Sequence, residues 1–225
     1  MSAPILITGT SKGLGKALAK EFERLGHVVV GCSRHPLDHP HHYQVDCSHL
    51  PEVLAFATEV VKEFGPPSHI IHNAGIINTP APSWELDTTE VEELFRVNLF
   101  SAFYLMKAFL PYMIDQGAGT FVSISAEWGR HGEGKVAPYS ASKFALEGWM
   151  QALAKELPSP LAAIALDPGG GFQTQMLEKG RPEFYKFGAD PELWAKSAAP
   201  YILSLSREQN GKPLTCPTPV PSSNE

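Results

Sequence analysis

The eight residues Thr8-Gly9-Thr10-Ser11-Lys12-Gly13-Leu14-Gly15 limit the fold of this chain more than any other stretch. They follow the short apolar run Pro4-Ile5-Leu6-Ile7 and precede a segment where Ala17, Leu18, Phe22 and Leu25 recur at helical spacing. The order is strand, glycine turn, helix. Gly26-His27 ends that helix, and Val28-Val29-Val30-Gly31-Cys32 follows as an unalternated apolar run, which suits a parallel strand covered on both faces. Glycines in such a turn let the backbone come close to a pyrophosphate, whose charge the free amides at the helix N-terminus favour.

The remaining chain repeats the theme. A helix is expected over 51–64, a strand over 69–72, a long helix within 89–113 and a strand over 119–125. A helix carrying Tyr139 and Lys143 and a strand over 161–166 come next. Alternation of this kind implies one α/β domain over 1–205, a doubly wound parallel sheet with helices on both faces and right-handed crossovers. Ligands bind such sheets at the carboxyl ends of the strands. Residues 206–225 are rich in Gly, Pro, Ser and Thr and read as a tail, partly extended or mobile.

Charge and composition exclude several classes. A formal net charge of -6 opposes a nucleic-acid footprint. Cys32, Cys47 and Cys216 are widely spaced and contain no C-x-x-C pair, which points away from a disulfide framework or a zinc site and towards a reducing compartment. His35, His39, His41 and His42 lie on a Pro-rich loop without helical spacing, so that loop is read as solvated and no metal is expected. No uncharged apolar run reaches spanning length and no leader-like pattern opens the chain, so a cytoplasmic protein with no membrane partner is expected.

Tyr139 and Lys143 stand one helical turn apart on one face. An ammonium beneath a phenol favours phenolate and brings the proton towards the range useful at neutral pH.

These motifs resemble those of the short-chain dehydrogenase/reductase family. The resemblance rests on T-G-x-x-x-G-x-G at 8–15, Asn73-Ala74-Gly75 after a strand, Asn98 on the long helix, Y-x-x-x-K at Tyr139 and Lys143, and Asp167-Pro168-Gly169 after a later strand. It implies a single-domain Rossmann-type oxidoreductase that moves hydride between a nicotinamide cofactor and a small carbonyl or alcohol substrate. Tyr139 would donate the proton, Lys143 would hold the nicotinamide ribose, and Asn98 would anchor a water relay. Gly9, Thr10, Ser11, Lys12, Gly13, Leu14 and Gly15 would bind the cofactor phosphates. Asn73, Ala74, Gly75, Pro168, Gly169 and Thr174 would line its remaining length, with Asp46 at the adenine. Family members usually form homodimers or homotetramers, here through the Asn98 and Tyr139 helices, with Phe103, Leu105, Phe109, Trp149 and Leu153 as candidate interface positions.

The second strand ends in Cys32-Ser33-Arg34, without the carboxylate that would hold a free ribose hydroxyl. Arg34 and Lys12 instead offer cations for a 2'-phosphate, which favours NADP(H). Two departures stand out. The family's serine, thirteen residues before the tyrosine, is Ala126 here; Ser125 is the candidate replacement if the strand end is bulged. If Ser125 does not serve, the alternative is a degenerate NADP(H)-binding sensor or scaffold. The turn after Pro168 also carries an extra glycine, and residues 175–187, with Met176, Leu177, Phe184, Tyr185 and Phe187, read either as an apolar lid opposite Trp128 and the 129–136 loop or as the core packing of a surface helix.

Overall fold

The computed structural model describes residues 3–217. Seven parallel strands, β1 (Ile5–Thr8), β2 (Val29–Ser33), β3 (His42–Gln44), β4 (His69–His72), β5 (Thr120–Ile124), β6 (Ala162–Asp167) and β7 (Pro213–Thr215), form one sheet in the order β3-β2-β1-β4-β5-β6-β7. The order reverses between β1 and β4, which opens a crevice at the carboxyl ends of those strands.

Alternation within the strands assigns the two faces. Leu6, Val30, Ile70, Phe121 and Ala163 pack against α2 (Leu50–Phe64), α4 (Ser101–Gln116) and α5 (Ala137–Glu156). Ile5, Ile7, Val29, Ile71, Val122 and Ile164 pack against α1 (Gly13–Arg24) and α8 (Pro191–Ser204). All five residues of β2 are buried, as an unalternated run requires when helices cover both faces.

The expected long helix is interrupted. α3 (Thr88–Phe95) passes through a π-helical turn at Arg96–Phe100 before α4, and the extra residue in that turn coincides with Asn98. The combined run Thr88–Gln116 has a window of mean hydropathy 1.3, but 56% of that window is buried within the fold, as suits a core helix.

The fold also continues past the boundary expected at residue 205. Arg207–Gln209 form a short 3₁₀ turn, and β7 then pairs with β6 through Ala165–Pro213, Leu166–Leu214 and Asp167–Thr215. Leu205 and Cys216 are buried in the same core as α1 and α8. A Pro-containing edge strand tolerates the missing donor of Pro213, and this explains why the composition resembles a tail. The rest of the expected tail, 218–225, lies outside the described residues.

Candidate active site

A cleft of about 770 Å³ runs across the carboxyl ends of the strands. Gly9, Ser11, Lys12, Gly13 and Leu14 line one part of it, Ser33, Arg34 and Asp46 its far end, and Asn73, Ala74 and Gly75 its floor. Ser125, Tyr139, Lys143, Pro168 and Thr174 line the other part. The topology thus brings together residues from the six loops that follow β1 to β6 and from α5. Thr10, Gly15, Asn98 and Gly169 lie behind the lining instead.

The glycine turn has the build of an anion cradle. α1 begins at Gly13 with no side-chain cap and no acidic residue in its first turn, so its free amides are available to a negative group. Gly9 has φ +74 and Gly13 φ +58, both left-handed. A Cβ on Gly15 would fall 2.4 Å from Asn73 Nδ2 and from the Gly9 carbonyl oxygen, so glycine there lets the turn pack against Asn73. Asn73 in turn donates to the Thr8 carbonyl at 2.9 Å, while the Thr8 hydroxyl accepts from the Asn73 and Ala74 amides at 3.1 and 3.0 Å. Asn73 therefore braces the floor against the turn.

Several expected contacts are already committed to protein partners. Arg34 pairs with Glu93 of α3 at 3.2 Å, both half exposed. Lys12 donates to Gln175 at 2.7 Å. Ser33 donates to the His35 carbonyl at 2.6 Å and meets His42 Nε2 at 2.9 Å, so its hydroxyl organises the loop after β2. Asp46 accepts from the Ser48 amide and hydroxyl at 2.9 and 2.7 Å through one oxygen.

At the other end, Tyr139 is buried and meets Trp128 edge-on, with ring centres 6.1 Å apart. Lys143 is buried as well; its ammonium donates to the Ile124 carbonyl at 2.8 Å and lies 5.6 Å from the Tyr139 ring centre. Burial pulls Lys143 down to about 8, against the opposing charge of Glu147. The expectation that Lys143 lowers the phenol's pKa is not met. Burial, with the nearby Asp167 charge added, pushes Tyr139 well above its usual value. The phenol is held as a protonated acid.

Asn98 is fully buried, and its amide makes three hydrogen bonds: Oδ1 accepts from the Ile76 amide at 2.8 Å, and Nδ2 donates to the Ile76 carbonyl at 2.9 Å and to Ser142 at 3.0 Å. It ties the loop after β4 to α5.

The Ser125 region settles into a definite arrangement. The Ser125 amide still bonds the Leu166 carbonyl at 2.8 Å, so the β5–β6 pairing continues to this residue and Ser125 shares the face of Ser123. Its Oγ is buried without a partner, and a Cβ on Gly129 would stand 2.9 Å from it and 2.8 Å from Lys143 Cβ. The hydroxyl thus lies buried against Gly129 with no partner, in a residue that lines the cleft. Ala126, on the neighbouring position, packs in the apolar cluster around Tyr139 with Ile76, Trp128 and Met176. The surface where a serine hydroxyl was expected is a methyl group.

The lid differs from its apolar reading. Over α6 (Gln175–Gly180) and α7 (Pro182–Tyr185), Met176 and Leu177 face inward, against Gly75 and Gly171, whereas Phe184 and Phe187 are 50% and 73% exposed. Charge holds the lid instead: Arg181 pairs with Glu133 and lies 5.7 Å from the Trp128 ring centre, and Lys179 pairs with Glu90 at 2.9 Å. Thr174 caps α6 by accepting from the Leu177 amide at 3.3 Å, and Gly169 and Gly170, at φ +87 and +148, absorb the extra glycine.

Sequence reasoning missed Glu93, Gln175 and Arg181, which no motif marks because their partners are distant in the chain. It also missed His72, which bridges Ser123 and Ser101 at 3.0 and 2.8 Å and lies close enough to Lys143 to feel its charge. Ser101 donates to the Val97 carbonyl at 2.6 Å, so His72 carries its proton on Nε2 and accepts from Ser123 on Nδ1.

Known proteins place the chain by family and by fold. A family model described as short chain dehydrogenase matches residues 3–183. An NADPH-dependent pterin aldehyde reductase of Arabidopsis thaliana is 35% identical over 223 residues, covering 94% of this chain and 92% of the relative. Epidermal retinol dehydrogenase 2 of Mus musculus is 36% identical over 163 residues, and this chain matches 52% of its length. A short chain dehydrogenase of Escherichia coli CFT073, solved in complex with NADPH, superposes with a TM-score of 0.85 at 26% identity, covering 96% of this chain and 95% of that one. By the family match and by the near full-length relative, this chain belongs to the short chain dehydrogenase family.

Proposed function

We propose that the protein is an NADPH-dependent reductase of small carbonyl compounds, with residues 3–217 forming one catalytic domain. The observation that carries this reading is the single cleft shared by the uncapped glycine turn, Arg34 and the buried Tyr139–Lys143 pair. The cradle fits a dinucleotide: Gly9 and Gly13 hold the turn in left-handed conformations, and the first amides of α1 have no side-chain cap to compete with a pyrophosphate. Lys12 and Arg34 suit a 2'-phosphate once released from Gln175 and Glu93.

When bound, the nicotinamide supplies the hydride. Tyr139 holds the proton that goes to the carbonyl oxygen, and its burial keeps that proton in place until the oxygen gains charge. Lys143, anchored on the Ile124 carbonyl, orients the site and places its charge beside the phenolate that forms. Trp128, Ile77, Met176 and Ala126 make an apolar wall that excludes water from the reacting carbonyl. The Arabidopsis relative supports an aldehyde on a planar heteroaromatic ring as substrate, which suits an apolar wall bearing the Trp128 ring.

Optically followed NADPH oxidation against a panel of aldehydes and ketones, including a pterin aldehyde, with NADH in parallel, tests the reading. A preference for NADH overturns the cofactor assignment. NADPH binding without turnover across the panel favours the second reading, a sensor or scaffold, which the methyl group of Ala126 and the buried Ser125 hydroxyl support.

Phe103 and Trp149, stacked at 5.5 Å on the outside of α4 and α5, support a homodimer through those helices. Leu105, Phe109 and Leu153 belong to the core instead. Three free cysteines support a reducing, cytoplasmic setting.

A further inference from the structure

Two thiols meet at the far end of the cleft. Cys32 Sγ, at the end of β2, lies 3.6 Å from Cys47 Sγ, in the loop between β3 and α2, and both residues line the cleft. They flank the residues assigned to the cofactor: Ser33 and Arg34 follow Cys32, and Asp46 precedes Cys47. The third cysteine, Cys216, follows β7 at the opposite edge of the sheet from β3 and cannot reach them.

We propose that Cys32 and Cys47 are a modification site, a dithiol that hydroperoxides convert to a disulfide in competition with cofactor binding. The coupling to cofactor rests on the NADPH reading above. The chemistry divides between the two sulfurs. Cys32 is fully buried, and its hydrogen bond with Cys47, together with burial, holds it as a thiol well above the usual range. Cys47 is the more accessible, at 7% exposure. A peroxide entering the open cleft meets Cys47 first: its thiolate sulfur attacks one peroxide oxygen, the O–O bond breaks, and a sulfenic acid and hydroxide result. Cys32 sulfur then attacks the Cys47 sulfur, the S–O bond breaks, and the Cys32 proton leaves with the hydroxyl as water. In sum, two thiols and one hydrogen peroxide become one disulfide and two waters.

Bond formation draws the sulfurs from 3.6 Å to about 2.0 Å. That contraction pulls the Asp46–Cys47 loop towards β2 and displaces Asp46 and Arg34 from one another's present spacing. An adenosine lying over the pair closes the path of the peroxide, so each state disfavours the other.

The test uses full-length protein with Cys216→Ala as background. Hydrogen peroxide is applied with and without saturating NADP+, whose binding to the reduced protein is measured first by calorimetry. Expected are a mapped Cys32–Cys47 linked peptide, suppression of its formation by NADP+, and a loss of NADP+ affinity of about tenfold or more that dithiothreitol reverses. Cys32→Ala should leave a Cys47 sulfenic acid that a diketone reagent traps, while Cys47→Ala should leave little to trap at Cys32. Absence of the linked peptide in protein without cofactor overturns the dithiol. A linked peptide that forms equally with NADP+ bound, or that leaves affinity unchanged, overturns the competition. Failure of reduced protein to bind NADP+ overturns the cofactor reading and the competition with it, whereas the peptide map decides the dithiol independently.

Discussion

Lys143 places its ammonium 5.6 Å from the centre of the Tyr139 ring and spends its hydrogen bond on the Ile124 carbonyl, 2.8 Å away. Burial raises the phenol and lowers the ammonium, so the pair stands as a protonated acid beside a weakly held cation. Tyr139→Phe should lower kcat by at least about 10³-fold and leave NADPH affinity within about twofold. Stopped-flow turnover alongside cofactor titration checks this, and a mutant of near-native rate would remove Tyr139 from its role.

The same pair sets a pH dependence. Carbonyl reduction needs the phenol protonated, which it is through neutral pH, so the reductive rate should be flat there and decline above about 8, where Lys143 sheds its charge. Alcohol oxidation needs phenolate, so its rate should climb with pH through the neutral range by up to about tenfold per unit. Initial rates in both directions from roughly pH 6 to pH 9, an interval that spans the Lys143 ammonium, decide it. Parallel profiles would count against the assignment.

Ser125 and Ala126 make opposite predictions. Since the Ser125 hydroxyl is buried under Gly129 without a partner, Ser125→Ala should leave kcat within about twofold and cost no stability. Ala126→Ser adds a donor on the surface beside Tyr139 and should raise kcat by as much as ~10²-fold. A tenfold loss in the first variant, about 1.4 kcal/mol, would mean that Ser125 does reach the substrate.

Arg34 is shared between Glu93 and the position proposed for a 2'-phosphate. Glu93→Gln should release it and lower the NADPH KM by about two- to threefold, an exposed pair being worth only a fraction of a kcal/mol. Arg34→Ala should raise the NADPH KM about tenfold with little effect on NADH, and the gap should narrow in high salt.

His72 ties stability to acid. Burial, and then the Lys143 charge, hold it to about 3, so the folded protein keeps it neutral while the unfolded chain takes up a proton as pH falls below about 6.5. Stability is therefore complete above about 6.5 and drains away between there and about 3, amounting at pH 5 to roughly 2 kcal/mol from this residue. His69, held to about 4 by burial, acts in the same direction. Urea unfolding at pH 7 and pH 5 measures the loss, which should shrink in His72→Asn; an unchanged pH dependence in that variant would refute the account.

Periodicity and turn chemistry carry the fold, because they act over a few residues. The βαβ opening, the buried parallel strands and the placement of Gly9, Gly13, Tyr139 and Lys143 around one cleft follow from apolar runs and glycine spacing. β7 escaped because three residues of an edge strand carry no pattern, and pairing with β6 alone defines it. The π-turn at Arg96–Phe100 escaped for a similar reason, since its Asn98 is held by the Ile76 backbone, 22 residues away.

By itself the sequence determined the doubly wound sheet, the glycine cradle and the tyrosine–lysine pair, since each depends on residues close in the chain. Only the tertiary structure decided the state of those groups. The proton on Tyr139 depends on burial and on Asp167, the burial of the Ser125 hydroxyl on Gly129, the freedom of Arg34 on Glu93, and the meeting of Cys32 with Cys47 on the packing of two loops. Electrostatic environment and side-chain contact are properties of distance in space, and residue spacing along a chain does not contain them.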